Sequence, residues 1–359
     1  MSRSASPMEN QYYDGTKLLS LKDKNGLKPT IYISTSNRSA GKTTYFNRLV
    51  LRRFIKTGKK FCLLYRFNYE LEGCSTKFFS DIKGLFFPKY IMSEKTRNKG
   101  VYKELFIAKS YDEPGTSCGY AIALNSADSI KKVSHVFNDV DVILFDEFQS
   151  ETNNYCPKEV EKFLSIHKSI ARGHGQQYRE VSVYMISNHV SIINPYYIEM
   201  GICLRLKQES KYLRGDGWVL EQGFIESAAN AGRESGIARA FKDNDYVHYS
   251  NDLVYLNDNL TFIDRPNGRS EYLATIFYNG TGFAIRQFQD QNICYVDDKI
   301  DESCPIRISV TMSDHSPNTV MLMQYVDFVH VLRLYFDKGC MRFRDMRAKE
   351  AFIKMIAYS

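Results

Sequence analysis

No apolar run in this 359-residue sequence approaches the roughly 18 residues of a membrane span, so no membrane role is expected. The opening stretch, MSRSASPMENQYYDG, lacks the apolar segment of a secretory leader. The eight cysteines (Cys62, Cys74, Cys118, Cys156, Cys203, Cys294, Cys304 and Cys340) are scattered and include no CxxC pair. That spacing argues against a disulfide framework or a zinc site, and for buried or free thiols in a reducing compartment. No internal repeat and no low-complexity tract organises the chain.

What is present is globular. With 43% hydrophobic and 25% charged residues, the chain can fill one large domain or two medium ones. The formal charge of +7 admits a polyanionic partner without requiring one.

Residues 1–28 are polar and read as a loose arm or a short cover. From Pro29 to about Ile225, short apolar runs alternate with helical patterns. Thr30–Thr35, Phe61–Tyr65, Val140–Phe145 and Val181–Ile186 read as strands, and Thr43–Thr57 as a helix. Strands separated by helices predict an α/β domain over 1–225 with a mostly parallel sheet. Residues 226–245, rich in Ala, Gly and charge, read as an exposed helix or a linker at the domain boundary. Residues 246–359 then form a smaller domain: β-structure with turns at Pro266-Asn267-Gly268 and Asn279-Gly280, then a helix over Val320–Phe336. Arg342, Arg344 and Arg347 near the end are either a docking contact or a solvated face.

The first predicted strand runs into Ser36-Asn37-Arg38-Ser39-Ala40-Gly41-Lys42-Thr43-Thr44, at the start of the predicted helix. This is GxxxxGK[ST] with Ser36 in place of the first glycine. Inward backbone N–H groups and a helix N-terminus cradle phosphates in such a loop. Gly41 allows close approach, Lys42 reaches the β- and γ-phosphates, and the Thr43 hydroxyl ligates Mg²⁺. A second apolar strand ends in Asp146-Glu147. There Asp146 can hold Mg²⁺ and Glu147 can polarise an attacking water; the plain alternative is a solvated acidic turn. The order, loop first and acidic strand end later with a strand between, points to a P-loop ATPase of the ASCE type, with ATP and Mg²⁺ as cofactors. A third strand ends in Ser187-Asn188, either a γ-phosphate sensor, with Asn188 among the nucleotide-binding residues, or a turn. Arg172, followed by Gly-His-Gly, is either a charged helix end or an arginine that enters a neighbour's site. Arg38, inside the loop, can serve in cis, and the residues alone do not rank the two.

Four stretches carry a resemblance to a known family: SNRSAGKTTYF with RRFIKTGKKF, VILFDEF, the run from Lys158 through Arg172 to ISNHVSIINPYY, and FDKGCMRFRD with AFIKMI. The chain resembles the genome-packaging ATPases of small tailed phages of the phi29 type, relatives of the terminase large subunits. The resemblance implies a homomeric ring, typically a pentamer, at the portal vertex of a procapsid in the host cytoplasm, driving double-stranded DNA inward. It implies the portal or connector as a partner and leaves a packaging RNA open. Lys42, Thr43, Asp146 and Glu147 match the family's nucleotide-site positions, and Arg172 matches its arginine finger acting across the subunit interface. It also implies an RNase H-like C-terminal domain that has lost its catalytic carboxylates. The cluster Asp297, Asp298, Asp301 and Glu302 does not supply three separated acidic positions for two metals. A helicase, or a nucleotide-gated protein without turnover, is the alternative function.

Overall fold

A computed structural model of the chain describes residues 12–152, 154–172, 178–191, 194–203, 205–206, 210–240 and 263–357. The chain divides into two compact units, residues 1–190 with 207–256, and residues 191–206 with 257–359.

The first unit opens with a short helix, α1 (Thr16–Ser20), then β1 (Ile31–Ser36), α2 (Lys42–Thr57) and β2 (Lys60–Tyr65). It continues with α3 (Cys74–Phe86), the strands β3 (Ile91–Arg97), β4 (Tyr102–Ala108) and β5 (Thr116–Ala123), and α4 (Ala127–Lys132). Then come β6 (Val140–Asp146), α5 (Glu159–Ile170) and β7 (Ser182–Asn188). After α6 (Pro195–Glu199), which belongs to the second unit, the first unit resumes with β8 (Tyr212–Arg214), β9 (Trp218–Gln222), α7 (Glu226–Glu234) and α8 (Gly236–Ala240). The sheet order is β3-β4-β5-β2-β6-β7-β1-β9-β8. The run β5 to β9 is parallel, and the antiparallel pairs β3·β4, β4·β5 and β8·β9 finish the edges. Central parallel strands are covered on both faces, so they read as continuous apolar runs; Val142–Phe145 and Val183–Ile186 are all buried.

α2 buries Phe46, Val50, Leu51 and Phe54, a stripe at helical spacing, and ends on Gly58 in the left-handed conformation. The described part of the N-terminal arm is a cover: Tyr13, Leu18 and Leu21 are buried in the same core as α2.

The second unit is α+β. Its sheet runs β14 (Val320–Met321), β13 (Arg307–Ser309), β10 (Glu271–Tyr278), β11 (Thr281–Phe288), β12 (Ile293–Asp297), β15 (Met341–Phe343). The helices α9 (Val326–Asp337) and α10 (Met346–Ala357) contribute Val329, Leu332 and Phe352 to its core. Asn279 and Gly280 turn β10 into β11 with positive φ at both positions, as the Asn-Gly signal predicts.

Two expectations need correction. The boundary is not a single linker at 226–245. Residues 226–240 form α7 and α8 within the first unit, while 191–206 leave it to pack Ile198 and Cys203 into the second core, where Glu199 also pairs with Lys354. A fragment starting at residue 246 would therefore lack part of its own core. The helix expected over Val320–Phe336 begins only at Val326, because Val320 and Met321 pair with β13. Of the terminal arginines, Arg344 pairs with Asp298, Arg347 with Asp345 at 3.9 Å, and Arg342 donates to the carbonyls of Gly339 and Met341; Arg344 and Arg347 are both exposed. Residues 241–262, the start of the expected β-region among them, and Gly173 lie outside the described residues. Among the described residues, no helix is long and apolar enough to cross a membrane.

Candidate nucleotide site

β1, β7 and β6 are parallel neighbours, so their C-terminal ends share one edge of the sheet, where ligands of open α/β sheets bind. In register, Ser36 lies opposite Asn188 and Asp146 opposite Ile186. The strand between the phosphate loop and the acidic strand end is β7, which carries the third expected element.

Ser36 explains its departure from the motif. It is still in the β1 ladder with extended backbone, so no glycine is required there. Its hydroxyl accepts a hydrogen bond from Lys42 Nζ at 2.9 Å. The loop turns through left-handed positions at Ser39 (φ 59°) and Gly41 (φ 85°), and Gly41 caps α2. Lys42 is buried; burial pulls its pKa down to about 8, against the opposing pull of the Asp146 and Glu147 charges.

Thr43 Oγ1 donates to Asp146 Oδ2 at 2.9 Å. The other carboxylate oxygen of Asp146 accepts the Glu147 backbone N–H at 2.9 Å. Burial first, and the adjacent Glu147 charge second, raise the Asp146 pKa to about 6. Glu147 itself is exposed and adopts φ 55°, a left-handed conformation that a non-glycine residue holds only when its surroundings enforce it. The enforcement is visible. Arg66, at the end of β2, donates to the carbonyl oxygens of Glu147 (3.3 Å) and Phe148 (2.7 Å). Its Nε is shared between both carboxylate oxygens of Glu159, the first residue of α5, at 3.1 and 3.0 Å. Both members of this pair are buried, so removing one alone would cost about 3–5 kcal/mol.

Asn188 lines two cavities. One, of about 240 Å³, is bounded also by Arg38, Glu147 and Glu151. The other, of about 660 Å³, extends past Ala40, Gly41 and Thr44 to an aromatic rim of Tyr12, Tyr45 and Phe86. Ser187 is buried with its hydroxyl on the Asn188 carbonyl and borders only the smaller cavity, whereas Asn188 borders both. Arg38 ion-pairs with Glu151. Asn37 engages the backbone of Ile225.

Arg172 does not join these residues. α5 starts beside the Glu147 turn, and its 12 residues rise about 18 Å at 1.5 Å each. At its far end Arg179 ties the carbonyls of Ile170 and Val140, and Val140 begins β6 whereas Asp146 ends it. Arg172 is therefore exposed near the opposite end of the sheet from its own phosphate loop.

The aromatic rim and Arg66 were not legible in the sequence. Tyr13 shows why: its backbone N–H donates to the Ala40 carbonyl at 2.7 Å, and its hydroxyl reaches buried Glu221 at 2.8 Å, 208 positions away.

A family model described as podovirus DNA encapsidation protein (Gp16) matches residues 8–357. The chain belongs to that family. The DNA packaging proteins of Bacillus phages PZA and phi29 are 26% and 25% identical to it over 325 residues, 89% of this chain and 90% of each of theirs. Among solved structures, a chain of the bacteriophage phi29 viral genome packaging motor assembly matches with a TM-score of 0.56 at 23% identity, over 96% of this chain and 99% of that one. The Phi-28 gp11 DNA packaging motor matches with a TM-score of 0.59 at 15% identity, over 97% and 98%. At those identities the structural likeness speaks to the fold, and the family match to the role. This is a phage DNA-packaging protein, and the helicase alternative falls away.

The strained acidic site has a stability signature. The folded protein holds the Asp146 proton more tightly than the unfolded chain, whose carboxyl keeps the ordinary value of 3.8. The associated stability is present below about pH 4 and is lost as pH rises through about 6. Asp146→Asn should therefore stabilise the nucleotide-free protein at pH 8, by about 1–2 kcal/mol once solvent screening of this half-buried group is allowed for, with the gain shrinking towards pH 4. Calorimetry at both pH values checks this; an Asn variant melting no higher than the parent at pH 8 would refute it.

Proposed function

We propose that the chain is the ATP-hydrolysing subunit of a homomeric ring, of pentameric size in the family resemblance, that drives double-stranded DNA through the portal into a procapsid. One observation carries the reading: the 2.9 Å contact between Thr43 and Asp146, with Lys42 and Glu147 beside it, joins the phosphate loop to the acidic strand end. The donor set is hard oxygen, a hydroxyl and a carboxylate, which suits Mg²⁺. Thr43 and Asp146 would hold that ion, which supplies charge neutralisation at the β- and γ-phosphates.

Lys42 binds the phosphates after leaving Ser36. Glu147 takes a proton from the attacking water, and Asn188 orients the γ-phosphate or that water from between the two cavities. The aromatic rim formed by Tyr12, Tyr45 and Phe86 fits a stacked base beside the loop. Arg172, far from its own loop, serves a neighbouring subunit. Arg38 is held by Glu151 at the cavity wall, so its part is to bind rather than to finish the reaction. The second unit is given no nuclease role, because Asp297 and Asp298 are each paired with an arginine, Arg286 and Arg344.

Phosphate release should rise strongly with duplex DNA and little with single strands. Duplex binding should be blind to sequence and should weaken steeply with salt, as expected for lysine and arginine displacing counterions. No phosphate release, or equal stimulation by single strands, would overturn the reading.

A further inference from the structure

The β1–β9 ladder runs in register from Ile31 and Trp218 to Thr35 and Gln222, and Gly223 N–H still donates to the Thr35 carbonyl at 2.7 Å. Beyond Ser36 the two backbones part, since one curls into the phosphate loop. A side chain then takes over the ladder. The Asn37 amide is 1% exposed, and its Oδ1 accepts the Ile225 N–H at 2.9 Å while its Nδ2 donates to the Ile225 carbonyl at 3.1 Å. Both polar atoms of one side chain thus satisfy both backbone groups of one residue.

Ile225 is the N-cap of α7, and no side chain caps that helix. Its carbonyl also accepts the Ala229 N–H at 3.1 Å, the first hydrogen bond of the helix. The same oxygen therefore belongs to the phosphate-loop clamp and to the first helical turn. Any shift of the loop at residue 37 moves an atom on which α7 depends, because hydrogen bonds of this geometry tolerate only a few tenths of an ångström. From α8 the chain runs on towards the residues of the second unit.

We propose that Asn37 is a positioning residue that transmits nucleotide occupancy of the phosphate loop to helix α7. The proposal rests on the nucleotide-site reading given above. Neither a phosphate contact nor catalysis is assigned to Asn37; each of its two polar atoms already has a partner on Ile225.

The test is hydrogen exchange by mass spectrometry on the full chain, with and without Mg²⁺ and the non-hydrolysable analogue AMP-PNP, with binding of the analogue measured in parallel. In the parent protein the analogue should change exchange of the amides in 225–234 by about fivefold or more. In Asn37→Ala, compared at analogue concentrations that saturate each protein, the analogue should leave exchange of that segment unchanged. Asn37→Ser, with a side chain too short to reach residue 225, should behave like Asn37→Ala and serves if the alanine variant does not fold. A merely structural role would alter exchange equally with and without the analogue, and that result overturns the proposal. So does a nucleotide response of 225–234 that is the same in parent and variant, or a folded variant that no longer binds, which would make Asn37 a phosphate ligand. Failure of the parent itself to bind the analogue would count instead against the nucleotide site.

Discussion

Glu147→Gln should bind ATP with parental affinity and lower its turnover by about 10²–10⁴-fold, the usual contribution of a positioned general base. The geometry separates the two effects. Binding depends on the loop and Lys42, which the substitution does not touch. Glu147 is exposed at the cavity wall, its carboxylate is not needed for any fold contact found in the site, and its left-handed backbone is fixed by Arg66 through carbonyl oxygens that glutamine also has. The variant should therefore fold, hold Mg²⁺ through Asp146 and Thr43, and stall with ATP bound. A phosphate-release assay beside a binding measurement checks both halves. Parental turnover would remove Glu147 as the base, and lost binding would make it part of the metal or phosphate site.

The second large effect is expected from Arg172. Arg172→Ala should lower turnover by about 10³-fold or more, because a guanidinium gives two hydrogen bonds to γ-phosphate oxygens as their charge develops. The distance argument makes this a trans effect. α5 is tied at its N-terminal end to the Glu147 turn through Glu159 and Arg66, and at its C-terminal end to the start of β6 through Arg179. Pinned at both ends, it cannot swing Arg172 back to its own loop. Mixing therefore gives a sharp readout. Subunits carrying Arg172→Ala keep a sound loop, and subunits carrying Lys42→Ala keep a sound finger. Each should be nearly inactive alone, but in a 1:1 ring about one interface in four pairs the two sound halves in a head-to-tail arrangement. Partial recovery of phosphate release is the expected result. Rings shown to contain both subunits yet recovering nothing would shift the role to Arg38 or another residue, and normal turnover by Arg172→Ala alone would end it.

These two residues also mark the limits of reading a linear sequence. The candidate site was legible because its residues are local: a loop of consecutive residues, and a pair of carboxylates closing an apolar strand. Burial on both faces makes β1, β2, β6 and β7 visible as short apolar runs, and the 3.6-residue period shows α2. The strands β3 and β4 were missed because β3 is a largely exposed edge strand and its inner neighbour β4 is only partly buried, so their mixed patterns have no clear period. The early start expected for α9 failed for a related reason, since strand pairing with β13 overrode an apolar pattern that fits either period.

By itself the sequence determined the α/β class, the phosphate loop, the acidic pair and the existence of a second domain, all set by neighbours along the chain. Only the tertiary structure decided the rest. It placed β7 between the loop strand and the acidic strand, so that Asn188 borders both cavities and Ser187 only the smaller one. It brought Arg66 to the Glu147 turn from 81 positions away, and Asn37 to Ile225 from 188. It sent residues 191–206 into the second core, and it put Arg172 out of reach of its own loop. The physical reason is common to all of these. A side chain's partner across a sheet is fixed by strand order and register, and those are settled by burying the whole core at once, not by the residues on either side of it.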